Sequence, residues 1–154
     1  MESISDHITY VEATNSETAM HFKIKNEPDE KQLSAMALLA RMIFEPLRNH
    51  FNIAIGISSF FRCEELNNKV GGSASSQHVK GEAMDIDAHV FGGVTNKEIF
   101  QYIKNNLNFD QLIAEFPDEE GEPDWVHVSY TDINRRQVLV SNRKGNKTVY
   151  ERIA

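Results

Sequence analysis

Apolar positions along the chain change period several times, and each change marks an element. Between residues 31 and 49, Leu33, Met36, Ala37, Ala40, Phe44 and Leu47 recur at spacings of three and four, the stripe of a buried helix. Leu38, Leu39, Met42 and Ile43 widen it, so this helix is expected at the centre of the core, with Pro46 bending or ending it. Asn52–Ser58 alternates as a strand, and Glu64–Val70 reads as a short helix stopped by Gly71-Gly72. Ala83–Asp87 alternates again, with Met84 and Ile86 on one side and Ala83, Asp85 and Asp87 on the other. Thr95-Asn96-Lys97-Glu98 is a capping box that starts a helix over 96–106. Strands follow at 109–116 and 125–130, then a hairpin pairs 138–140 with 148–150 across Lys144–Lys147. Residues 1–28 carry few apolar positions and read as an ordered arm. The order predicts one α+β domain over 1–154, a central antiparallel sheet flanked by helices.

Composition narrows the partners. Of 154 residues, 23 are acidic and 16 basic, a net charge of −7 that disfavours nucleic acid and anionic membrane. No apolar run reaches the ~20 residues of a membrane span. Cys63 is the one cysteine, so no intramolecular disulfide forms; a buried thiol is its expected state. The first residues are polar and acidic and do not read as a signal peptide, so a cytoplasmic protein is expected. A monomer is expected, its oligomeric state otherwise open.

Candidate chemistry gathers at Ser76–Asp87. His78 precedes a glycine turn, and Asp85 lies on the polar face of the strand beyond it. Read singly, each fits an ordinary surface. His127 lies inside an apolar strand, on the face of Trp125 and Ser129, where an imidazole needs a partner. Asp124, just before that strand in an acidic loop, is free of its alternation on this reading. Two imidazoles and a carboxylate with a fourth position open make the ligand set of a catalytic zinc, and a carboxylate beside it serves as general base. His89 is a competing ligand, while Asp87 and Glu115 are candidates to orient a ligand histidine. Ser141-Asn142-Arg143-Lys144 matches S-x-x-K, but without its companion motifs it carries no serine-hydrolase reading. No His-Glu-x-x-His occurs.

Ser76-x-His78-x-x-Gly81-x-Ala83-x-Asp85, with Asp124-Trp125-Val126-His127, resembles the M15 zinc peptidases, which include D-Ala-D-Ala carboxypeptidases and phage L-alanyl-D-glutamate endolysins. The likeness spans roughly residues 4–130 and implies the Hedgehog/DD-peptidase fold. It implies Zn²⁺ held by His78, Asp85 and His127, Asp124 as base, Arg62 on the substrate carbonyl or carboxylate, and Ser76 in the substrate-binding loop. Dipeptidase members place Glu where this chain has Asp124. The implied substrate is a peptidoglycan stem peptide, met after release of the protein as a phage lysin or from a virion. The alternative is a non-catalytic zinc-binding module, such as a virion or tail component, that keeps the fold.

Overall fold

The computed structural model describes residues 2–153. The region read as an arm is folded into the body. Strands β1 (Ser3–Ser5) and β2 (Ile8–Thr9) form a small hairpin, followed by the short helices α1 (Tyr10–Thr14) and α2 (Glu17–His21). Ile4, Ile8 and Ala13 enter the main core. Val11, Met20 and Phe22 of this region stay exposed.

The long helical stripe is real but interrupted. Helix α3 (Glu30–Leu39) starts at Asp29, whose side chain forms a capping box with Gln32. A π-helical turn over Ala40–Phe44 then leads into α4 (Glu45–Phe51). In that turn the Glu45 N–H reaches the carbonyl of Ala40, five residues back. Pro46 has no N–H to donate and its ring crowds the preceding turn, so a widened turn is a physical solution that lets the helix continue. Pro46 therefore does not end the helix, which runs to Phe51 and stops where Asn52 turns left-handed at φ +56°. Leu39 and Ile43 join Met36, Ala40, Phe44 and Leu47 in the core, while Ala37 is exposed.

Strand β3 (Gly56–Ser59) begins later than its alternation predicts, because Asn52 is still part of the helix cap. Helix α5 (Glu64–Lys69) ends before Gly71, at φ +75°. Strand β4 (Ala83–Asp87), helix α6 (Asn96–Asn106), and strands β5 (Gln111–Glu115), β6 (Trp125–Ser129), β7 (Gln137–Lys144) and β8 (Lys147–Arg152) complete the chain. The capping box of Thr95 and Glu98 starts α6 where the sequence places it.

The six-stranded sheet has the order β3-β4-β6-β5-β7-β8. It is mixed, because β5 and β7 pair in parallel while every other neighbour is antiparallel. β6 is already bonded on both sides, by β4 and β5. The returning chain must add at the free edge of β5, and this makes the β5–β7 pair parallel. Met84, Ile86, Val126, Val128, Leu112, Ala114 and Val138 turn one face of the sheet to the core, packed with Ile99, Phe100 and Ile103 of α6. The architecture is α+β and compatible with a DD-peptidase-like fold. Among the described residues no helix is long and apolar enough to cross a membrane.

Candidate metal centre and its cleft

The other face of the sheet holds the chemistry. Register sets Asp85 directly across from His127 on the β4–β6 pair. His78 arrives from outside the sheet, on a 3-10 turn (Gln77–Lys80) in which its own N–H donates to Ser76 Oγ. Gly81 ends that turn at φ +75°, where an added Cβ would lie 2.6 Å from the carbonyl oxygen of Gln32. Conformation and crowding both require glycine there.

The His78 ring is buried, with 1% exposure, and its Nδ1 lies 2.7 Å from the Phe60 carbonyl. A carbonyl only accepts, so Nδ1 carries the proton and Nε2 presents a lone pair. That Nε2 has no hydrogen-bond partner and points at Asp85, 3.3 Å from Oδ2. On the other side His127 Nδ1 lies 3.0 Å from Asp85 Oδ1. One ligand atom from each of the three residues falls within 4.8 Å of the others. Lone pairs and a carboxylate this close repel unless a proton or cation lies among them, and a buried bare nitrogen is costly. The donor set, two imidazoles and one carboxylate, therefore fits a divalent metal ion. Burial alone would raise the Asp85 carboxyl, but His78 and His127 outweigh it and hold it well below the usual carboxylate range.

Around the three lies an open cleft of about 1040 Å³. Arg62 lines it from the β3 side; burial lowers its pKa, and the charge of Asp85 opposes that shift. Its backbone N–H reaches the His78 carbonyl. The segment carrying Phe60 and Arg62 is held by buried Asn26, which donates to the carbonyls of Thr14 and Phe61 and accepts from the Cys63 N–H. Ser76 lines the cleft at the edge of the loop after α5. Cys63 is partly buried against Ala19, Ile24 and Leu66.

Asp124 is not brought to this centre. Its backbone N–H bonds the Glu115 carbonyl at 2.8 Å, but Glu115 already pairs with Trp125, so Asp124 lies just before the strand, as the sequence predicts. Its side chain is exposed and does not line the cleft, and its charge adds to the larger effect of Glu122 in raising the pKa of His89. His89 also stands apart, 2.7 Å from Glu122 and 3.3 Å from Asp87. Asp87 accepts from Asn96 and from the His89 N–H and orients neither ligand histidine.

The carboxylate that does face the centre is Glu115. It pairs with Trp125 in register, lines the cleft, and accepts a 2.6 Å hydrogen bond from Ser141 Oγ. Burial raises its pKa; the Asp85 charge adds to this, while Ser141, His127 and Trp125 act against it. Tyr150 of β8 lines the same wall, its phenol pushed up by burial and by the charges of Glu115 and Asp85. The signal for Glu115 was present in its strand parity, since Ile113 and Glu115 share a face, but only the register identifies that face with His127's.

Comparison with curated proteins gave no match. The family model described as Peptidase M15 does match, over residues 6–129, a span that contains all three clustered ligands, Arg62 and Glu115. With most of its length covered by that match, the chain belongs to the peptidase M15 family.

Proposed function

We propose that the protein is a zinc-dependent peptidase acting on peptidoglycan stem peptides, either as a DD-carboxypeptidase or as an L-Ala-D-Glu-type endopeptidase. The observation that carries this reading is the unpartnered His78 Nε2, aimed with Asp85 and His127 into the floor of an open cleft. Family membership supports peptide hydrolysis.

Zinc bound there would supply Lewis acidity toward the substrate carbonyl and make water acidic enough to attack near neutrality. His78, Asp85 and His127 would hold it, and the Phe60 carbonyl fixes the tautomer of His78. Glu115 accepts the proton from the attacking water and returns it to the leaving amine. Its raised pKa brings it closer to the pH at which both transfers are needed. Ser141 Oγ, bonded to Oε1, orients the carboxylate for this work. Arg62 offers N–H groups to the oxygen that becomes negative in the transition state. Ser76 presents its loop to the peptide backbone.

Mass spectrometry of purified peptidoglycan treated with zinc-loaded protein tests this directly. New amino and carboxyl ends at one stem-peptide bond are expected, and the bond identifies the activity. Stoichiometric zinc with no cleavage of any stem peptide would replace this reading with that of a non-catalytic zinc module.

A further inference from the structure

The family match stops at residue 129, yet one wall of the cleft is built beyond it, by the β7–β8 hairpin. Parallel pairing sets Ile113 beside Leu139 and Glu115 beside Ser141, so the odd-numbered positions of β7, Arg143 included, share the face of the metal centre. Antiparallel pairing then brings Thr148 beside Arg143 and Tyr150 beside Ser141. All three of Arg143, Thr148 and Tyr150 line the cleft.

Charge in the cleft runs against the charge of the chain. The protein carries −7, but among the described residues the acidic ones lining the cleft are Asp85 and Glu115. Its basic lining residues are Arg62, Lys80, Arg135 and Arg143. Arg135 is committed to Asp110 through Nε at 2.9 Å and a terminal nitrogen at 2.8 Å. Arg143 has no ion pair among the described residues. Its guanidinium lies instead over the Phe116 ring, 5.4 Å from the centroid.

That platform is held in place. Phe116 has φ +49°, a conformation a bulky residue adopts only when its surroundings enforce it. Its N–H is bonded to both the carbonyl and the hydroxyl of Ser141, and its ring packs 5.5 Å from Trp125. A guanidinium held over a ring by the attraction of its cation still has N–H groups to offer a planar anion.

We infer that the hairpin carries a carboxylate-binding subsite, in which Arg143 on its Phe116 platform, with the Thr148 and Tyr150 hydroxyls, takes a free carboxylate of the substrate peptide. This rests on the peptidase reading above. From His127 to β7 is two strand spacings, roughly 10 Å, and Arg143 lies four residues, roughly 13 Å, along β7 from the matching rung. The contact falls on a substrate group remote from the cleaved bond, so it governs binding. For cleavage at D-Ala-D-Ala the remote carboxylate is the α-carboxylate of D-Glu; for cleavage at L-Ala-D-Glu it is the peptide's C-terminus.

The test uses the full zinc-loaded chain and synthetic stem peptides in which each of these carboxylates is, in turn, a free acid or an amide. Trp125, the one tryptophan, adjoins the platform, so its fluorescence reads binding while product analysis reads turnover. Wild-type protein is expected to favour one free acid over its amide by about tenfold in Kd and KM. Arg143→Gln should abolish that preference by weakening the free acid alone, with kcat and melting temperature unchanged, and Arg143→Lys should keep part of it. The position whose amidation matters identifies the carboxylate. An acid preference that survives in Arg143→Gln, or no preference in the wild type, overturns the proposal. Arg143-dependent binding of the acid without any cleavage would uphold the subsite and overturn the peptidase reading instead.

Discussion

The molecule holds one histidine–carboxylate cluster in the cleft and another where β4 runs into the turn Ala88–Val90, and the two behave differently. In the first, His78, Asp85 and His127 converge, with a buried ring nitrogen left bare. In the other, His89, Asp87 and Glu122 meet near the start of α6, where the oxygens of Glu122 accept from the backbone of Asn96 and Lys97 and Asp87 accepts from the Asn96 side chain. The second cluster is half exposed and its polar atoms are already used. The residue types are the same; what separates a metal site from a structural clasp is burial together with an unspent lone pair.

The widest gap between the two should appear in metal content. Asp85→Ala or His127→Ala is expected to lower zinc affinity at least ~100-fold and abolish activity, while His89→Gln retains one zinc per chain. Elemental analysis after dialysis decides this, and loss of zinc from the His89 variant would merge the clusters that the structure separates. Next comes the proton acceptor. Glu115→Gln should reduce kcat roughly 10²–10⁴-fold with zinc still bound, whereas Asp124→Asn stays within about twofold. The reverse result would return the role to the residue that the family likeness selects. The smallest effect belongs to the clasp. The hydrogen bond that His89 donates to Glu122 raises its pKa, so the protonated form favours the folded state. Its contribution is fully present below about pH 6.5 and fades as pH rises through the raised folded value. Because His89 is mostly exposed, about a few tenths of a kcal/mol is expected. Melting curves of wild type and His89→Gln should therefore differ slightly at pH 5.5 and coincide at pH 9.

Much of this was readable in the chain because the signals were local. The box at Thr95 and Glu98 fixes α6 through contacts three residues apart, and the alternation of Ala83–Asp87 alone puts Asp85 on the polar face. The likeness at Ser76–Asp85 and Trp125–His127 named the three residues that the fold brings together. What escaped depends on pairing between distant segments. Asp124 was rightly read as lying outside the strand, but only the fold shows that its exposed side chain does not line the cleft. Glu115 itself needed the β5–β6 register. The parallel β5–β7 pair needed the knowledge that β6 has no free edge. Pro46 is a different case: its effect was placed correctly but expressed as a widened turn inside a continuing helix.

Asn26 has a wider consequence than its size suggests. By gripping Thr14, Phe61 and Cys63 together, it works as a jig that sets the backbone on which both Arg62 and the His78-bonded carbonyl of Phe60 are mounted. A circular permutant opened at Gly145 would leave that jig untouched, whereas new termini between Thr14 and Asn26 would detach the gauge from the part it aligns. The first twenty-six residues are thus tooling for the cleft, and remodelling them would retune it from a distance.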